Sequence, residues 1–276
     1  TGRGALVDSN TITVVAHGDN GRGIQSDYSR ILDNTIYSIS DGGGRGIESG
    51  SDSGNPSTIK RNTVYALNRS MAFHGNYAHI ENNVFYGTDN EHFLWGLSED
   101  SPQYNRDEWA VTSGPDLVII DNKFYGFGTG VYINGENCII KNNVFTLNRS
   151  QGFSIYGGDN TVVHKNSITL RGLDVNVDYG MRFYNSNLSS VYGNTIASQE
   201  SSPLGTGIHI YGSASPELNS NIVHNFNKGV NAESATYVVK FNLISSATTA
   251  MTGDGLPGQA GATATVNYNA DPSDIY

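Results

Sequence analysis

One six-residue pattern recurs from end to end of the chain and limits what it can fold into. An apolar residue is followed by two residues of any kind, an asparagine, one more of any kind and a second apolar residue. It reads Ile31-Leu-Asp-Asn34-Thr-Ile36, Ile59-Lys-Arg-Asn62-Thr-Val64, Ile80-Glu-Asn-Asn83-Val-Phe85 and Ile140-Lys-Asn-Asn143-Val-Phe145. The asparagines fall at 10, 34, 62, 83, 122, 143, 166, 194, 221 and 242, so nine gaps of 21 to 39 residues separate them. Self-similarity at that period, with short strand-like pieces and no helical periodicity, signals a solenoid in which each repeat buries its apolar face only against its neighbours.

A second piece, Gly-apolar-x-apolar, alternates with the first. It begins at Gly23, Gly46, Gly130, Gly152, Gly180, Gly207 and Gly229. The two pieces together resemble the right-handed parallel β-helix repeat family, the pectate-lyase-like superfamily, over nearly the whole chain. The resemblance implies an all-β, single-stranded right-handed parallel β-helix solenoid of about ten coils with three short strands per coil. The Gly piece is then the first strand of a coil and the apolar-x-x-Asn piece the second, with Asn in the tight turn after it. The third strand's inward face begins two residues past the Asn. A count of thirteen residues back from Asn, taken from Asn143 to Gly130, places the two coils that lack the glycine on Ser70–His74 and Trp109–Ser113. A single domain over 1–276 is expected, with 245–276 as an irregular last coil or tail.

Abundant glycine (33) and sparse proline (7) suit many tight turns between short strands. The formal charge of −10 argues against a nucleic-acid partner. A single cysteine, Cys138, excludes an intrachain disulfide framework and is expected to be buried as a small apolar residue. No apolar run is long enough to span a bilayer. An extracellular, periplasmic or cell-surface protein of bacterial or phage origin is expected, as a monomer or small homo-oligomer.

Stacked coils lie about 4.8 Å apart, so equivalent residues form ladders along the axis. The ten asparagines should make an internal ladder, and Phe85, Phe124 and Phe145 a stack in the core. Period-two alternation then exposes the other face of each first strand. Its outward residues are expected to be Gln25 and Asp27, Glu48, Ala72 and His74, Val111 and Ser113, Tyr132 and Asn134, and Ser154 and Tyr156. Above them come Arg182 and Tyr184, His209 and Tyr211, then Asn231 and Glu233. A solvated sheet face normally carries Lys, Glu and Thr. Four tyrosines, an arginine and a histidine within four coils are a different composition, suited to sugar rings whose C–H faces pack on aromatics while hydroxyls meet polar edges.

Two long connections add to this face. Gly87 to Glu108 accounts for the 39-residue gap and holds Trp95, Asp107 and Glu108, with Trp109 just beyond. Leu170 to Tyr179 carries Asp174 and Asp178, candidate ligands for Ca2+, the one cofactor the sequence suggests. Arg22, Arg45 and Arg69 precede first strands in consecutive coils, and Arg149 lies near the equivalent place higher up. Stacked like charges need an anion between them. That anion is either internal (Asp27, Asp41, Glu48) or an anionic polymer such as a polyuronate.

Glycoside hydrolysis needs two carboxylates facing one groove, and here they would have to come from the long loops. Removing the proton beside a uronate carboxylate needs a cation and a base instead. Arg182, His209, Tyr184 and Tyr156 supply those types on consecutive coils and are the expected catalytic group. Tyr132, Tyr211, His74, Trp95, Trp109, Arg149, Asp107 and Glu108 are the expected substrate-binding residues. The arrangement resembles the Tyr/His/Arg sites of alginate lyases and epimerases of β-helix fold. The expected function is therefore cleavage or epimerisation of an acidic polysaccharide. A hydrolase or transglycosidase using loop carboxylates, and a non-catalytic glycan-binding or phage-spike module, are the alternatives.

Overall fold

The structure, a computed structural model, describes residues 4–16, 21–40, 45–50, 52, 54–68, 71–87, 109–127, 129–147, 151–171, 179–200, 204–233, 237–240, 242–245, 249–253 and 264–267. The described residues form β-strands and turns, with no helix. The strands assemble into three parallel sheets of ten, eleven and ten strands, called here sheets 1, 2 and 3 in the order in which the sequence repeat names a coil's strands. Each strand pairs only with its equivalents one coil below and one coil above. This is the solenoid, and all three sheets face a common core.

The asparagines are the spine. In the turn from sheet 2 to sheet 3, Asn143 Nδ2 donates to Ile119 O (2.8 Å), Lys141 O (3.0 Å) and Asn166 Oδ1 (3.0 Å). Its Oδ1 accepts from the backbone N (2.9 Å) and Nδ2 (3.1 Å) of Asn122. The same pattern runs from Asn10 to Asn242, and Asn34 to Asn242 are buried. It serves a backbone need. The residue before each ladder asparagine from Asn10 to Asn221 has φ between 53° and 65°, a left-handed conformation that costs non-glycine residues free energy. Eight of these nine are not glycine: Ser9, Asp33, Arg61, Asn82, Asp121, Asn142, Lys165 and Ser220. The buried amide bonds of the ladder offset that cost.

Inside, Phe85, Phe124 and Phe145 stack at centroid separations of 4.9 and 4.5 Å, and Phe145 meets Phe153 edge-on at 4.8 Å. Cys138 is fully buried one residue before the strand Ile139–Lys141. The first-strand glycine marks the corner where sheet 3 gives way to sheet 1. A Cβ on Gly152 would lie 2.2 Å from Gly180 O and 2.8 Å from Ile168 Cγ2. Only hydrogen fits there.

The thirteen-residue count fails in two coils. Val111 pairs with Phe73 below and Val131 above, both wholly buried, and Thr112 pairs with His74 and Tyr132. By register Val111 and Ser113 stand at the positions of Val131 and Ile133, Thr112 at that of Tyr132, and Trp109 pairs with Thr129 rather than with Gly130. The connection through Gly114-Pro115 is one residue shorter than the one through Gly135-Glu136 above it, since Val118 pairs with Ile139. In the coil below, the register of Phe73 puts Ala72 at the corner position of Gly130 rather than on the outward face. His74 moves into the same column as Tyr132, not a neighbouring face.

Candidate functional site

The outward face of sheet 1 has three columns of positions; two lie two residues apart on each strand and so share a face, and coils stack in register. The middle column ascends through Gln25, Glu48, His74, Thr112, Tyr132, Ser154, Arg182, His209, Asn231 and Thr252. Beside it run Asn134, Tyr156, Tyr184, Tyr211 and Glu233. On its other side, three residues before the middle column and across the corner glycine, stand Tyr179, Thr206 and Lys228. The structure thus brings together Tyr132, Tyr156, Arg182, Tyr184, His209 and Tyr211, as the sequence predicts, and adds Tyr179.

Rings dominate the upper part of this face. Tyr132, Tyr156, Tyr184 and Tyr211 follow one another at centroid separations of 5.3, 5.3 and 4.4 Å. The His209 imidazole lies between Tyr179 (4.6 Å, 15°) and Tyr211 (5.0 Å, 8°). The Arg182 guanidinium carbon sits 4.6 Å from the Tyr211 ring centroid and 5.4 Å from those of Tyr156 and Tyr179. Ring faces attract such a cation. Arg182 Nη2 donates to the Tyr211 hydroxyl, which donates to the Tyr156 hydroxyl at 3.3 Å.

Beneath the rings lie polar atoms without partners. Ser154 Oγ, Arg182 Nε and His209 Nδ1 are buried and make no hydrogen bond among the described residues, and the buried His209 Nε2 has only the Glu233 carboxylate, at 3.5 Å. They occupy three successive levels of one column. Buried polar atoms are nearly always satisfied, so a row of exceptions marks a place built for something other than packing. His209, expected to stand free on the surface, is only 6% exposed although it points away from the core, because two tyrosine rings cover its faces. Burial holds its pKa below the usual histidine value and Arg182 pushes the same way, against the opposing pull of Glu233. It is neutral at neutral pH. The Tyr211 hydroxyl is pushed well above the ordinary tyrosine value by burial and by its bond with Tyr156, so it keeps its proton. Tyr132 is also raised, by burial and by Tyr156.

The lower end of the face is a different cluster. Glu48 pairs with both Arg22 and Arg45, the latter at 2.7 Å. Burial disfavours its ionisation, but the hydrogen bonds and charges of Arg45 and Arg22 outweigh that and its pKa falls. For Arg22 and Arg45 the internal partner is therefore present. His74, half-buried, is held below its usual value by burial and by Arg45. Arg69, Trp95, Asp107, Glu108, Arg149, Asp174 and Asp178 lie outside the described residues, and Trp109 is described by its backbone alone.

A second aromatic column escaped the sequence reading. On the outward face of sheet 3, Tyr37, Tyr65, Tyr86 and Tyr125 pair in register and stack at 4.7, 4.9 and 5.5 Å. The signal was available, since each stands three residues after a ladder asparagine. Their ring faces are turned to one another, as those of Tyr184 and Tyr211 are on sheet 1, so the ladder offers edges and hydroxyls.

The chain belongs to the right-handed beta helix family, whose model, described as "Right handed beta helix region", matches residues 105–244, just over half of the sequence. Among solved structures it is similar to the surface protein and adhesin PfbA of Streptococcus pneumoniae, 11% identical, with 96% of this chain and 90% of that one covered and a TM-score of 0.50. It is also similar to the catalytic unit of a GH87 alpha-1,3-glucanase from Streptomyces thermodiastaticus (10% identical, 96% and 62% covered, TM-score 0.40). A third is an alginate lyase from Paenibacillus sp. (12% identical, 94% and 99% covered, TM-score 0.35). At such identities the likeness is one of fold. A search of the curated proteins found no match.

Proposed function

We propose that the outward face of sheet 1, from Tyr132 up to Glu233, binds an acidic, uronate-containing polysaccharide outside the cell or at its surface. There Arg182, His209 and the tyrosines remove a proton from the uronate, as a β-eliminating lyase or a C5-epimerase. The observation that carries this reading is the column of buried, unpartnered polar atoms on Ser154, Arg182 and His209 under a roof of phenols. Proton removal beside a carboxylate requires its charge to be neutralised and a base to take the proton. Arg182 is the cation. His209, neutral because burial lowers its pKa, is the base. Tyr211 carries the proton to be given to the departing glycosidic oxygen, and the Arg182 charge beside it favours the phenolate that remains. A substrate carboxylate competes with the Tyr211 hydroxyl for Arg182 Nη2, and substrate reaches the buried nitrogens of His209 only when neighbouring side chains move, Tyr211 among them.

A second reading, a non-catalytic glycan binder, is favoured by one observation: both ring nitrogens of His209 are buried in this conformation. A hydrolase would draw its two neighbouring carboxylates from the long connections, where Asp107, Glu108, Asp174 and Asp178 lie outside the described residues; the columns from Tyr132 upward carry Glu233 alone among the described residues. Incubation with alginate, pectate, chondroitin and ulvan, followed by ultraviolet absorbance, tests the proposal, with Ca2+ and with chelator to test the part given to Asp174 and Asp178. A rising unsaturated-uronate signal is expected for a lyase, and exchange of the C5 proton without absorbance for an epimerase. New reducing ends without absorbance would replace the reading with hydrolysis. Retained binding without any turnover would replace it with a binding module.

A further inference from the structure

Above His209 the columns continue into a connected set of polar side chains that neither ring stacking nor the core requires. Thr252 Oγ1 donates to Asn231 Oδ1 at 2.7 Å, and Asn231 Nδ2 donates to Glu233 Oε1 at 2.8 Å. The direction of this chain is fixed by chemistry, since a carboxylate only accepts and must therefore meet the amide nitrogen. The same oxygen, Glu233 Oε1, lies 3.5 Å from His209 Nε2. Asn231 is 6% exposed and stands directly above His209, as Glu233 stands directly above Tyr211. Glu233 is thus held by Asn231 through the same oxygen that lies nearest His209 Nε2. A contact of 3.5 Å is too long for a full hydrogen bond, and catalytic contacts of this kind commonly tighten when ligand binds.

Imidazole exchanges protons in its ring plane, at Nδ1 or Nε2, so the stacking of Tyr179 and Tyr211 on His209 leaves both nitrogens as candidates. We propose that Glu233, fastened by Asn231 and Thr252, is a positioning residue that keeps the proton of neutral His209 on Nε2 and so makes Nδ1 the nitrogen that accepts the substrate's proton. When Nδ1 takes that proton, the imidazolium formed has Nε2–H facing a carboxylate. The pair is stabilised as charge develops, in the way a carboxylate acts beside other catalytic histidines, here from a Glu233 side chain that is itself 59% exposed. The other groups facing the imidazole are Arg182 below it, Lys228 in the coil above, and the two tyrosines. Both cations oppose protonation and Glu233 is the one charge that favours it.

The inference deepens the proton-transfer reading above, and its test does not depend on turnover. Nitrogen-resolved NMR of histidine, with the His209 signal assigned by its loss in His209→Gln, reports tautomer and pKa directly. The wild type is expected to show the Nε2–H tautomer. Glu233→Gln, which keeps an acceptor for Asn231 but removes the charge, is expected to lower the His209 pKa. Asn231→Ala, which frees the carboxylate, should mix the tautomers. On an active substrate the acidic limb of the kcat profile should move to lower pH in Glu233→Gln, with a plateau roughly 10-fold lower. An Nδ1–H tautomer in the wild type, or a His209 pKa unmoved by Glu233→Gln, would overturn the assignment. If the NMR changes appear and no polymer is turned over, the positioning stands and the proton-transfer reading alone falls.

Discussion

Asn143 shows how much one side chain can hold. Its amide makes hydrogen bonds to Ile119, Lys141 and Asn166 and accepts two from Asn122, all within the buried core. Asn143→Ala strands several of these groups, and each unsatisfied buried group costs about 1–3 kcal/mol. The expected loss is about 3–5 kcal/mol in urea unfolding, and a change under 1 kcal/mol would show the ladder to be incidental. Cys138 makes the opposite case. Burial pushes its thiol up to about 11, so the reactive thiolate is scarce at pH 8. Alkylation at that pH should proceed only in denaturant, and rapid labelling of the native protein would contradict the burial. At the candidate site, Tyr184→Phe removes a hydroxyl and keeps a stacked ring, so it should leave the melting temperature unchanged. His209→Ala should not be silent, because it opens a gap between Tyr179 and Tyr211. The residue types of this site were legible in the sequence, since period two alone sorted Tyr132, Arg182, Tyr184 and Tyr211 to one face. The burial of His209 was not, because it depends on Tyr179, whose place in the strand Tyr179–Tyr184 follows from pairing with Gln151 and Thr206.

At the scale of strands and turns, the repeat specified the sheets and left the turns open. The apolar-x-x-Asn piece located sheet 2 because inward residues such as Ile59, Ile80 and Ile140 are wholly buried. Left-handed residues before the asparagines carried no signal, since Arg61, Asp121, Lys165 and Ser220 share no chemistry. Counting failed at Trp109–Ser113 for a related reason: a connection one residue shorter shifts a strand's outward set by one, and every side chain then changes face. The Phe stack offers a test at this scale. Phe124 packs between Phe85 and Phe145 at 4.9 and 4.5 Å. Phe124→Leu should cost less than half of Phe124→Ala, for which about 3–5 kcal/mol is expected. Equal losses would mean that the aromatic contact itself, rather than filled volume, holds the coils together.

Across the whole molecule, the charges make the solenoid sensitive to acid. His74, His79 and His209 are all held below the usual histidine value, burial being the largest cause in each. Below that value the unfolded chain binds protons that the folded one refuses, so stability falls as pH drops through about 6.5. Glu48 and Glu81, both lowered with help from neighbouring cations, extend the loss below the ordinary carboxylate range. The melting temperature should decline steadily from pH 7.5 to pH 4, and a flat profile would contradict the burial of these histidines. The most direct test of the site is a crystal structure with a short uronate oligosaccharide. The sugar chain is expected along sheet 1 against Tyr132, Tyr156, Tyr184 and Tyr211, with one carboxylate on the Arg182 guanidinium and Tyr211 moved off His209. Sugar bound instead along the sheet 3 tyrosines, or on sheet 1 with Arg182 still closed on Tyr211, would contradict the account.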